Sequence, residues 1–423
     1  MADLETRGNN WPVILTLVVS AFGILFFLVQ AFSLGIVWLM SFQNPIVSLT
    51  ESVSIGLFLW TSILGGLLLV PLLILSISQL RGSAPPVWLD ARHTTVAKVA
   101  RWAILAWPVV VWLGWLVASR EDLAVFLLGP INVLVAGLPI LWVFQAAQSG
   151  LGGGSQIRKW RIFGFSIALL PIIVIIVELI ALVAVSGLGM VWVGLRINFD
   201  PQFQQQITQF ISQVGQFGQD IEAIFQFLEP YFLQPSLVFW LLAVIGGVIP
   251  IIEEVLKPVA VWTLAGSKIT PQEGFVGGLL CGAGFALMEN VFYFSTVLMA
   301  EEWLFVALGR AGTGVLHMLT SGLVGWGLAS AWQKGKFGFL ALTSLGAFVL
   351  HGLWNVLAVV SGAAPVLILE TEPTMGQLLL SDLPVFLLLV LSVVGLILIN
   401  RHLRKNAVNP LPLAANEPGE GHL

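Results

Sequence analysis

The chain reads as an all-α, polytopic membrane protein of about ten transmembrane helices with both termini in the cytoplasm. Three observations lead there. Of its 423 residues 58% are hydrophobic and only 9% are charged, against about 25% charged in an ordinary soluble domain. Apolar runs of about 20 residues, enough to cross the hydrocarbon core, recur along its length. The connections between them alternate in charge, and basic loops mark the cytoplasmic face.

The runs fall near residues 11–40, 53–79, 102–119, 122–146, 162–196, 236–262, 274–299, 303–331, 338–360 and 380–400. The first is too long for a cleaved leader and is expected to stay in the bilayer. Basic residues gather at every second connection: Arg81, Arg92, Lys98 and Arg101; Arg158, Lys159 and Arg161; Lys257 and Lys268; Lys334 and Lys336; Arg401, Arg404 and Lys405. The intervening loops carry Glu51, Asp220, Glu222, Glu229, Glu301, Glu302, Glu370 and Glu372, with Arg120 and Arg196 the basic exceptions. The net charge of −4 is spread over loops, and no basic block suggests a nucleic-acid partner. The single cysteine, Cys281, rules out an internal disulfide and reads as inert packing in an apolar helix.

Four segments follow: an N-terminal five-helix membrane module over 1–197, an extracytoplasmic amphipathic segment over 198–235, a C-terminal catalytic membrane module over 236–405, and a cytoplasmic tail over 406–423. SGLGGGSQ, from Ser149 to Gln156, reads as a flexible cytoplasmic linker. In the Gln-rich 198–235 stretch, Phe203, Ile207, Phe210, Ile211, Val214, Ile221, Phe225 and Leu228 recur at helical spacing. This suits a helix lying on the outer leaflet, or a lid over a site.

Ionisable side chains inside spanning segments are expensive, by roughly 2.5–3.5 kcal/mol each on insertion scales, and are functional by default. Here they concentrate in the C-terminal module. IPIIEEVLKP places Glu253 and Lys257 four residues apart with Glu254 turned aside, and Lys257 is expected to snorkel to the interface. Pro250 and Pro258 bracket the pair and are expected to kink the helix. GGLLCGAGFALMENVFYF puts Phe285 one turn before Glu289, with Asn290 adjacent and glycines that allow close helix approach. GTGVLHMLTSG sets His317 and Ser321 on one face, with Arg310 two turns earlier as a partner for a carboxylate. FVLHGLWNVL sets His351 and Asn355 one turn apart, where both can donate to a developing oxyanion. Glu178, in the fifth run, belongs to none of these motifs and reads as structural.

The order EExxK at Glu253, Glu254 and Lys257, FxxxEN at Phe285, Glu289 and Asn290, then His317, then HxxxN at His351 and Asn355, resembles the PrsW family of intramembrane proteases. That family is related to the CAAX prenyl endopeptidases and bacteriocin-immunity-type membrane proteases. The resemblance covers roughly Ser236 to Val360 and leaves the N-terminal helices unexplained. It implies cleavage of a membrane-anchored protein in the cell membrane, of the site-1 type seen with anti-sigma factors. By resemblance, Glu253 is the general base on a water, Glu254 or Glu289 shares the proton, and His351 and Asn355 hold the oxyanion. His317 then protonates the leaving amine or orients Glu289. The CAAX branch has a histidine where this chain has Glu289, which argues against prenylated substrates.

The glutamate mechanism needs no cofactor. Its rival is a zinc site drawn from Glu289, His317 and His351, although no HExxH is present. A proton-coupled transporter is the reading from another class, since carriers also place acids and histidines at the midplane. The absence of matching polar residues in the N-terminal half speaks against it, and a non-catalytic membrane scaffold is the remaining alternative.

Overall fold

The computed structural model describes residues 11–44, 46–84, 86, 95–218, 220, 223, 224, 226, 227, 234–297, 300–368 and 375–407. Arg92, Ile221, Glu222, Phe225, Leu228, Glu229, Glu370, Glu372 and the tail from 408 onward lie outside them. Every regular element among the described residues is helical.

The N-terminal helices are α1 (Trp11–Ser41), α2 (Leu49–Leu80), α3 (Thr95–Ala118), α4 (Glu121–Gln148), α5 (Gln156–Ala168), α6 (Leu170–Phe199) and α7 (Pro201–Gln216). The expected fifth span over 162–196 is divided at Leu169 into α5 and α6. Pro171 is the reason: it lacks the amide proton that would bond the carbonyl four residues earlier, which interrupts the ladder there. The Ser149–Gln156 linker is held down rather than free. Leu151 packs against the core, and Asn400 Nδ2 donates to Ala147 O and Ser149 O at 2.7 and 2.9 Å. The amphipathic stretch begins as α7, capped by Asp200, whose side chain accepts from the Gln202 and Phe203 amides. No α7 residue is buried.

The expected span over 236–262 is broken twice. It runs as α8 (Pro235–Ala243), a π turn (Val244–Val248), α9 (Ile249–Leu256) and α10 (Val259–Trp262). Pro250 cannot pair with the carbonyl four residues earlier, and the ladder slips so that the Ile249 amide reaches Val244 O. Pro258 separates α9 from α10. The chain continues as α11 (Pro271–Thr296), α12 (Ala300–Lys334), α13 (Phe337–Ile368) and α14 (Met375–Ala407).

Among the described residues eight helices are long and apolar enough to cross a membrane. Two of the ten runs are not among them. The apolar part of α3 is short, Trp102–Ala118, and α12 is diluted by Arg310, His317 and several Gly, Ser and Thr residues.

The axis of the fold is α11, 19 of whose 26 residues are buried. Its glycines make this position available. A Cβ at Gly274, Gly278 or Gly282 would strike the backbone of α12 at Gly325, Ser321 and His317 respectively, so the two helices meet main chain to main chain. Around this pair pack α2, α4, α5 and α13. One apolar core joins Leu57, Leu128 and Val135 of the N-terminal helices to Phe275, Leu279 and Met318.

Candidate active site

The candidate residues arrive on four elements. The short helix α9, fixed between its π turn and Pro258, carries Glu253, Glu254 and Lys257. The buried helix α11 carries Phe285, Glu289 and Asn290. Arg310, His317 and Ser321 are on α12, and His351 and Asn355 on α13.

The lysine does not snorkel. Lys257 is 0% exposed, and its ammonium bridges Glu253 Oε2 at 2.5 Å and Glu254 Oε1 at 3.0 Å. Being one turn from both acids, it reaches each within its own helix. A buried ammonium with two carboxylates is far better compensated than one alone. Phe285 supplies its ring face 4.5 Å from the same nitrogen. The third donor proton of Lys257 goes across to α12, where His317 Nδ1 lies at 2.8 Å.

That contact fixes the tautomer of His317. An ammonium can only donate, so Nδ1 accepts and the imidazole proton sits on Nε2. It donates to Glu289 Oε2 at 2.8 Å. Glu289 is in turn held by Arg310 Nη2 at 2.5 Å. Arg310 Nε donates to Asn290 Oδ1 at 2.7 Å, and Asn290 Nδ2 donates back to Arg310 O at 3.1 Å. Acid, amide and guanidinium thus form a closed bracket behind His317.

His351 has the same construction. Its Nδ1 lies 2.9 Å from Glu254 Oε1, so the ring proton rests there and the lone pair is on Nε2. That nitrogen faces Glu253 Oε2 at 3.9 Å. The two imidazoles meet edge to face at 5.0 Å, and Phe285 packs on His317 in the same manner at 5.4 Å. Each histidine is therefore pinned by a carboxylate through one nitrogen; the other nitrogen of His317 takes the Lys257 ammonium, and that of His351 faces Glu253.

Two candidates take other places. Asn355 was expected to join His351 as an oxyanion donor. Its Nδ2 donates instead to Ile245 O in the π turn at 3.1 Å, because the slipped ladder leaves carbonyls to satisfy. Ser321 is fully buried one turn past His317, its Oγ has no hydrogen-bond partner, and it does not enter the network.

Glu178 is the residue that sequence reasoning set aside. The structure brings it from α6 to the side of Glu253, within electrostatic reach of Glu289 and Lys257 as well. The signal was available. Leu170, Val174 and Glu178 recur every four residues on one face of α6, and the first two are buried against Phe285.

The donor set also suits a metal ion, provided that the Lys257 ammonium, which holds Glu253 Oε2 and His317 Nδ1, gives way to it. Ligand atoms of Glu253, His317 and His351 lie within 4.8 Å of one another. Glu253 replaces Glu289 in the trio expected from the sequence, since Glu289 is committed to Arg310 and to the far nitrogen of His317. Two neutral imidazoles and a carboxylate, with one coordination position left open, are the ligands of many catalytic zinc sites. Ligating histidines commonly give their other N–H to a carboxylate, as both do here.

A polytopic helix bundle that gathers buried carboxylates and imidazoles around one polar centre has the parts of an intramembrane hydrolase. Residues 219–393 match the family model described as PrsW family intramembrane metalloprotease. No curated protein and no solved structure matches the chain.

Proposed function

We propose that this protein hydrolyses a peptide bond in or near the membrane segment of a membrane-anchored protein, of the kind represented by anti-sigma factors, with Glu253 as the proton acceptor. The observation that supports the reading is the gathering of two carboxylate-pinned imidazoles around the buried Glu253 carboxylate, whose Oε2 is held by the Lys257 ammonium at 2.5 Å and faces His351 Nε2 at 3.9 Å. Water between Glu253 Oε2 and His351 Nε2 gives its proton to Glu253 as its oxygen bonds to the peptide carbon. The carbonyl oxygen takes up negative charge in the field of the Lys257 ammonium, a positive charge held in place by Glu253, Glu254 and His317 before the reaction begins. The carbon–nitrogen bond then breaks and Glu253 returns the proton to the leaving amine. His317 and Glu289 hold Lys257 in line.

The carboxylate behind each histidine favours a second form of the same reading. Glu253, His317 and His351 would then hold zinc, which supplies a bound water that loses its proton near neutrality. In either form both termini face the cytoplasm of the cell that carries the protein, and the substrate shares the bilayer with it.

Purified protein reconstituted with a panel of single-pass reporters tests the proposal, alongside Glu253→Gln. Cleavage by the wild type and none by the variant is expected. Equal cleavage by both would remove Glu253 from the chemistry. Translocation of a small solute in place of cleavage would return the transporter reading.

A further inference from the structure

The family match begins at residue 219, so α6 and its acid lie outside it. The face of α6 that buries Leu170 and Val174 on Phe285 continues to Glu178, beside Glu253. Glu178 Oε1 is shielded from solvent with no hydrogen-bond donor beside it, while the carboxyl group as a whole lies within hydrogen-bond reach of that of Glu253. From there α6 and the broken helix enclose a cleft of about 210 Å³, with Glu178, Leu182 and Val185 on one wall and Val244, Val248 and Ile252 on the other. Among the described residues α6 buries only Leu170 and Val174, and neither α8 nor the π turn buries any, so the seam between them lies on the outer face of the bundle, where lipid would meet it. One wall is the π turn, through Val244 and Val248. An acceptor at the end of an apolar cleft needs a donor. An intact transmembrane helix has no amide to spare, since its backbone is paired internally. A locally unwound one does, and an acyl chain has none at all.

We propose that the transmembrane segment of a single-pass substrate reaches the site sideways, between α6 and the π turn, and that Glu178 accepts a hydrogen bond from a backbone amide of its unwound stretch. This rests on the protease reading above and gives the N-terminal helices a share in substrate binding. A larger groove of about 720 Å³ lies on the other side of the π turn, lined by residues such as Phe239, Ile251, Leu345 and Phe348. Its walls are apolar side chains and glycines, with no side-chain acceptor for an unwound backbone.

Site-specific photocrosslinking separates the two routes. A photoreactive side chain is placed at Leu182, Val244 or Leu345 in the Glu253→Gln protein. The probe is a single-pass reporter whose polyleucine segment is interrupted by Gly-Pro. Adducts at Leu182 and Val244 but not Leu345 are expected; adducts at Leu345 alone, or at none of the three, overturn the route. In the active protein Glu178→Leu should raise KM about tenfold, more than it lowers kcat, and Glu178→Gln, which keeps a carbonyl acceptor, should restore it. The same loss and rescue should appear in adduct yield at limiting reporter, without turnover. Wild-type KM and adduct yield in Glu178→Leu would overturn the role of Glu178. Adducts at Leu182 in a protein whose wild type cleaves no reporter would uphold the route and overturn the protease reading.

Discussion

His317 gives its Nε2 proton to Glu289 and its Nδ1 lone pair to Lys257. The ring is thereby a fixed strut between two helices, α11 and α9, and its orientation depends on both partners at once. Glu289→Gln should keep the shape of the bracket while weakening the hold on His317 and leaving Arg310 without its countercharge. Cleavage should fall about 10- to 100-fold, the usual cost of losing a partner behind an active-site histidine. Steady-state kinetics on a reconstituted reporter measure it, and wild-type turnover would show that Glu289 is only structural.

Glu253→Gln preserves size and leaves the protein able to insert, but the amide takes no proton. Turnover should drop by ~10² or more, the range attributed to a general base, with immunoblots showing unchanged accumulation.

The two forms of the mechanism part on metal content. If zinc is held, His317→Ala and His351→Ala proteins should purify with less of it, and a chelator should silence the wild type until zinc is returned. If Glu253 works alone, chelators leave cleavage untouched while both variants remain inactive. Elemental analysis and the chelator assay, run on one preparation, decide the matter.

Asn355→Ala removes a clamp on the π turn rather than a donor to the oxyanion. Its signature should be a stability loss of about 1 kcal/mol, the worth of an ordinary hydrogen bond, read as a lower Tm in detergent. A fall in kcat of ~10²–10³ at unchanged Tm is what an oxyanion donor would give, and that result would restore the pairing with His351.

Gly282→Ala forces a methyl group into the His317 carbonyl. Backbone on both sides leaves little room to yield, so the loss should reach or exceed the roughly 1–3 kcal/mol of ordinary overpacking. The variant should accumulate poorly and resist rescue by substrate. Gly247→Ala, which meets open space, is the matched control.

The topology has its own test. Reporter fusions after Leu423 and within residues 198–235 should sit on opposite sides of the membrane, as the loop charges require. The same side for both would overturn the expected arrangement of the loops.

The residues that meet at the site were legible in the sequence because a charge inside an apolar run has few innocent explanations. Their pairings were less so. Lys257 near a helix end suggests an interfacial lysine, and only the packing of α9 under α11 and α12 shows it buried. The HxxxN spacing places His351 and Asn355 on one face, but it is silent about the slipped ladder opposite, whose Ile245 carbonyl captures the amide. Glu178 lacked a motif because its partners are more than seventy residues away. The long apolar run over 162–196 concealed the interruption at Leu169, since hydropathy counts Pro171 as one residue among many while its missing amide costs the helix a bond.

The glycine contact of α11 with α12 has a mechanical consequence. Two helices locked backbone to backbone behave as one stiff body, and His317, Glu289 and Arg310 are mounted on it. Glu253, Glu254 and Lys257 are mounted on a short rod hinged at the π turn and at Pro258. The two mountings touch through side chains, Lys257 to His317 and Phe285, and Glu254 reaches His351 of α13. The site is therefore complete only while the short rod stays seated, and its assembly depends on the seating of one helix of about two turns.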